Sequence, residues 1–93
     1  DSPTILSAWP NPTTGSSSLS FRLPVNGGVA KLSVYDVRGN RVRELLSGGY
    51  ATGENVIQWD GKDNTGRQVS AGVYFYRLDT WGKTFTQKIV LLR

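Results

Sequence analysis

Short runs of alternating apolar and polar residues, each stopped by Gly, Pro, Asn or Ser, fill this chain, and no segment carries a convincing helical period. The nearest helical candidate, Arg41 to Leu46, is too short to stand alone. Ile5 to Trp9 reads as a first strand, stopped by Pro10-Asn11-Pro12, where two prolines remove backbone donors and force a turn. Ser17 to Leu23 sets Leu19, Phe21 and Leu23 on one face and Ser18, Ser20 and Arg22 on the other. Val29 to Tyr35 turns Ala30, Leu32 and Val34 inward, with Lys31, Ser33 and Tyr35 outward. Arg41 to Leu46 follows after a tight turn, and Gly53 to Trp59 places Asn55, Ile57 and Trp59 on one face. Gly72 to Asp79 separates Tyr74, Tyr76 and Leu78 from Val73, Phe75 and Arg77. Lys83 to Leu92 closes the series, apolar on both faces near its end.

About seven short strands with turn signals between them predict an all-β fold, an Ig-like (fibronectin III-like) antiparallel β-sandwich. The 93 residues suffice for one domain, 1–93. A chain of this size buries about 60–65% of the surface it exposes when unfolded, so it holds one modest core. Two segments echo one another. Asp36-Val37-Arg38-Gly39-Asn40-Arg41-Val42 and Asp63-Asn64-Thr65-Gly66-Arg67-Gln68-Val69 share the spacing D-x-x-G-x-x-V. Asp at the first position accepts from a nearby backbone N–H, Gly at the fourth lets the strand resume, and Val re-enters the core. Both are read as β-turns.

Composition narrows the function. With no Cys and no His the chain has neither a disulfide framework, nor an ordinary zinc site, nor a His- or Cys-based nucleophile pair. Glu44 and Glu54 are solitary carboxylates, not an acid–base pair. The domain is therefore expected not to be an enzyme and to need no cofactor. The longest apolar run, Ile89 to Leu92, is far short of the ~20 residues of a membrane helix. Eleven Lys+Arg against 7 Asp+Glu give a net charge of +4, scattered except for Arg38, Arg41 and Arg43. That cluster is read as a solvated turn and edge strand, the other reading being a nucleic-acid or anionic-surface patch. No nucleic-acid partner and no small-molecule substrate are expected.

Two features carry candidate chemistry. In Trp59-Asp60-Gly61-Lys62-Asp63-Asn64-Thr65-Gly66, the oxygens of Asp60, Asp63 and Asn64 are candidate calcium ligands, although Lys62 sits between the two Asp and no distal Glu follows. The other reading gives these side chains to stabilising the turn. Trp81 falls at a hairpin tip, Asp79-Thr80-Trp81-Gly82-Lys83, and is a candidate surface contact unless it folds back over the sandwich end.

Several stretches together resemble a known family. They are Pro10-Asn11-Pro12, Phe21 to Pro24, Leu32 to Asp36 with Gly39 and Val42, Trp59 to Asp63 with Gly66, Ala71 to Leu78, and Gln87 to Leu92. This pattern resembles the C-terminal sorting domain of type IX secretion substrates and the related Ig-like domain of the flagellar hook-capping protein. The Pro-Asn-Pro opening and a Lys-containing apolar last strand lean towards the sorting domain. The family often has two consecutive lysines where this chain has Gln87-Lys88. The resemblance implies that Gly72, Tyr74, Lys88, Ile89, Val90, Leu91 and Leu92 serve sorting or partner contact. It implies partners among the secretion machinery proteins of the outer membrane and a covalently linked passenger, itself often a secreted hydrolase. It also implies a final location at the cell surface or outside the cell after passage through the periplasm. The chain starts at Asp1 and is expected to be the C-terminal module of a longer secreted protein.

In physical terms, a terminal edge strand offers unpaired backbone groups for strand addition. Lys88 would supply charge steering, and Ile89, Val90, Leu91 and Leu92 apolar contact. The alternative is that this strand only completes the sandwich. Two other functions stand beside sorting. One is an assembly domain of hook-capping type. The other is an accessory, carbohydrate-binding module of an extracellular glycoside hydrolase, with Trp81 and Tyr50 as surface rings.

Overall fold

The computed structural model describes residues 4–23, 28–50, 53–80 and 82–92. Seven strands follow one another: β1 (Thr4–Trp9), β2 (Ser17–Leu23), β3 (Gly28–Asp36), β4 (Arg41–Tyr50), β5 (Gly53–Trp59), β6 (Gly72–Thr80) and β7 (Lys83–Leu91). They form two antiparallel sheets, β1-β2-β5 and β4-β3-β6-β7. The fourth strand thus joins β3 rather than β5, the three-plus-four division of a fibronectin III-like sandwich. The two sheets bury one core between them, in a body 39 × 22 × 20 Å.

Alternation sorts the side chains as their pattern predicts. Leu19, Phe21 and Leu23 of one sheet face Ala30, Leu32, Val34, Tyr74, Tyr76, Leu78, Ile89 and Leu91 of the other, all buried. Trp59 closes one end of this core. Its ring meets Tyr74 edge-on at 5.5 Å and Tyr76 at 6.3 Å, and its indole N–H donates to the Lys62 carbonyl at 2.9 Å. The Tyr76 hydroxyl crosses the sandwich to donate to the Ser17 carbonyl at 3.2 Å, and burial pushes that phenol's pKa up.

Two expectations differ from what is found. β4 runs on from Leu46 to Tyr50, through Ser47-Gly48-Gly49, a stretch that reads as turn punctuation. Gly28 to Lys31 of β3 lie opposite and carry the ladder through this stretch, where Gly48 takes a φ of 134° that a residue with a Cβ rarely adopts. Ser20 and Ser33, read as outward-facing, are both only 2% exposed. Ser20 is covered because its hydroxyl donates to the Glu54 carboxylate from the neighbouring strand at 2.7 Å.

Candidate functional site

The two D-x-x-G segments fold into the same turn. Asp36 Oδ1 accepts from the amides of Arg38 and Asn40, each at 2.9 Å, and Asp63 Oδ1 from those of Thr65 at 2.9 Å and Arg67 at 3.1 Å. The Gly39 amide returns to the Asp36 carbonyl and the Gly66 amide to that of Asp63. Both glycines sit at φ 88°, a left-handed conformation that costs a residue with a Cβ about 1–2 kcal/mol. Val42 and Val69 then pack against the core. Around each carboxylate, donors outweigh desolvation. The Asn40 amide, first among the causes, holds the Asp36 carboxyl below its usual range, and the Thr65 hydroxyl does the same for Asp63.

Depressed carboxyl pKa values contribute stability above the unfolded-state value, near 4, and lose it as pH falls through the folded-state values. The thermal midpoint is therefore expected to hold from neutral pH to about 5 and to fall below about 4. In Asp36→Asn/Asp63→Asn, where the amide oxygen still accepts but no longer titrates, the fall should be shallower. Equal acid slopes for the two proteins would remove the turns as its source.

The candidate calcium ligands are occupied by the chain's own donors. Asp60 Oδ1 accepts from the Lys62 amide at 3.0 Å and from Arg43 Nη1 at 3.1 Å. Asp63 Oδ1 takes the Thr65 hydroxyl at 2.6 Å as well as its two amides, and Asn64 Oδ1 takes the Glu44 amide at 3.0 Å. Among the described residues no group of three acidic, His or Cys side chains could hold a metal ion. Of the basic cluster, Arg43 also donates to the carbonyls of Lys62 and Asp63, and Arg41 lies 3.7 Å from Glu44. Between the twin turns lies an open groove of about 560 Å³, lined by Asp36, Asn40, Asp63, Thr65, Gln68 and Tyr74 among others.

The segment 60–66 also protects an edge. The Asn64 amide donates to the Val42 carbonyl at 3.2 Å while its side chain accepts from Glu44, so one asparagine pairs both outward groups of β4 there. Asn11 does the same for β7. Its side-chain amide donates to the Lys88 carbonyl at 2.9 Å, and its oxygen accepts from the Val90 amide at 3.0 Å. Thr13 then continues as a parallel bridge, donating to Val90 at 2.9 Å and accepting from Leu92 at 2.7 Å. The Pro10-Asn11-Pro12 turn, which ends β1 and carries part of the family resemblance, is thus also a clamp on β7. Trp9–Pro10 and Asn11–Pro12 are both cis.

The clamp already pairs the outward backbone groups of this strand from the Lys88 carbonyl to the Leu92 amide, so strand addition over that stretch would have to displace it. Ile89 and Leu91 are 0% exposed and belong to the core, so only Lys88, Val90 and Leu92, the last 48% exposed, face outward. Tyr74 is buried too. Its hydroxyl donates to the Ser70 carbonyl at 2.6 Å, four residues back, making the tyrosine corner of such sandwiches. Gly72 is exposed at φ 155°, with open space where a Cβ would stand. Trp81 and the side chain of Tyr50 lie outside the described residues.

Solved structures with this architecture include latent dimeric PorU from Porphyromonas gingivalis, 21% identical over 97% of this chain with a TM-score of 0.77. FlgD from P. aeruginosa is 28% identical over 97% of the chain, TM-score 0.64. PorZ, an essential surface component of the type IX secretion system of P. gingivalis, is 19% identical over 96%, TM-score 0.61. The chain spans 9% of PorU, 67% of FlgD and 11% of PorZ. At their level of identity the PorU and PorZ likenesses speak for the fold. No curated protein matches the chain in sequence. The family model of the FlgD Ig-like domain matches residues 7–83, and on that match the chain belongs to the FlgD Ig-like domain family.

Proposed function

We propose that this domain is a non-catalytic C-terminal sorting module that directs a covalently linked passenger through a type IX secretion system to the cell surface or medium. The observation that carries the reading is the clamp. Pro10-Asn11-Pro12 and Lys88 to Leu92, the two segments that lean towards sorting domains, form one continuous surface through Asn11. Lys88, Val90 and Leu92 are its outward side chains, and outer-membrane secretion proteins are the partners they would meet. The likeness to PorZ supports this setting. The likeness to FlgD favours a second reading, an assembly module of hook-capping type.

The test fuses residues 1–93 behind a signal-peptide-bearing fluorescent protein in a type IX-competent bacterium. A Lys88→Glu/Leu92→Ser version alters two exposed positions and spares the core. The parent fusion is expected at the surface or in the medium, and the double variant in the periplasm with an unchanged thermal midpoint. A parent fusion that stays in the periplasm while folded would overturn sorting and leave the assembly reading.

A further inference from the structure

The edge of β7 is protected along only part of its length. Asn11 and Thr13 bond to Lys88, Val90 and Leu92, so the even-numbered residues turn their backbone groups away from β6. β6 and β7 pair without a register shift from Gly72–Leu91 to Thr80–Lys83, and the period of two therefore extends to Thr86 and Thr84. Both groups of Thr84 and Thr86, and the Lys88 amide, have no backbone partner among the described residues. Proteins cover or blunt such edges because they template pairing with another chain. This chain spends Asn64 on β4 and Asn11 with Thr13 on β7, yet Thr84, Thr86 and the Lys88 amide receive no such cover among the described residues.

Charge selects what could pair there. β7 holds two exposed lysines, Lys83 and Lys88, and no acidic residue. The neighbouring Asp79 is already engaged, 3.2 Å from Arg77 Nε and 2.6 Å from the Thr84 hydroxyl. A second copy of a +4 chain would bring like charges to the shared edge. We propose that Thr84 to Lys88 of β7 receives an extended acidic peptide segment as an eighth strand. Main-chain bonds would supply the pairing and the lysines the selection. This surface would act in either functional reading, because it rests on the edge alone.

Two capped seven-residue peptides test it, one with two glutamates five residues apart, to lie opposite Lys83 and Lys88 on the two faces of β7, and threonine and valine elsewhere, the other carrying lysine in place of glutamate. Each is titrated into the ¹⁵N-labelled domain at low salt. The acidic peptide is expected to shift the amides of Thr84, Thr86 and Lys88 saturably, and to bind about tenfold tighter than the basic one, the size of two cross-strand charge pairs. Lys83→Glu/Lys88→Glu should reverse that order. Thr86→Pro deletes an outward N–H that the β6 ladder does not use, and should abolish binding with the fold retained. An N-methylated acidic peptide makes the same test from the ligand side should that variant unfold. Absence of saturable shifts, shifts away from β7, or equal binding of both peptides would overturn the proposal, whatever the secretion fusion does.

Discussion

Deletion of residues 88–93 is expected to unfold the domain. The deleted segment carries Ile89 and Leu91, both without exposed surface. Removing a buried aliphatic side chain costs about 2–5 kcal/mol, so these two together account for about 4–10 kcal/mol. A chain of this length has about 5–14 kcal/mol in all. The deletion also strips Asn11 and Thr13 of their partners on β7 and uncovers one side of β6. Far-UV circular dichroism and proton–nitrogen spectra should show loss of sheet and collapse of amide dispersion. A cooperative melt with native dispersion would contradict the placement of Ile89 and Leu91 in the core. One practical consequence follows for any sorting experiment. A passenger retained after this truncation reports an unfolded domain as readily as a missing signal, and substitutions at Lys88 and Leu92 separate the two.

Trp59→Ala is the second large effect. The indole fills the end of the core against Tyr74 and Tyr76 and ties itself to the Lys62 carbonyl. Truncating a buried aromatic to alanine costs about 3–5 kcal/mol. For a domain of this size that lowers the thermal midpoint by about 15–30 °C. Trp59→Phe keeps a ring in the cavity and gives up the N–H bond. The Lys62 carbonyl still receives Arg43 Nη1 at 3.2 Å, so this variant should lose only about 1–2 kcal/mol. Calorimetry of the two variants beside the parent checks the ranking. A drop of only a few degrees for Trp59→Ala would mean that the ring is not the keystone of that end.

Much of the fold is legible in the sequence because its information is local. Leu19-x-Phe21-x-Leu23 and Tyr74-x-Tyr76-x-Leu78 state which face is buried, since successive strand residues point to opposite sides. The twin turns are legible for the same reason. Asp36 and Asp63 bond to amides two and four residues ahead, so the motif contains its own partners. The terminal strand was harder. Ile89, Val90, Leu91 and Leu92 are all apolar, and an unbroken apolar run does not say which residues face in.

The sequence by itself determined the strands, their buried faces and the two Asp–Gly turns, through interactions that span at most a few residues. Only the tertiary structure decided how the edges are managed. Asn11 meets Lys88 and Val90 across 77 and 79 residues, and Asn64 meets Glu44 across 20. An asparagine in a turn looks alike whether it satisfies its own backbone or that of a distant strand. The sandwich that brings β1 beside β7 and segment 60–66 beside β4 settles which, because an unpaired edge group binds whatever donor or acceptor the packing sets next to it.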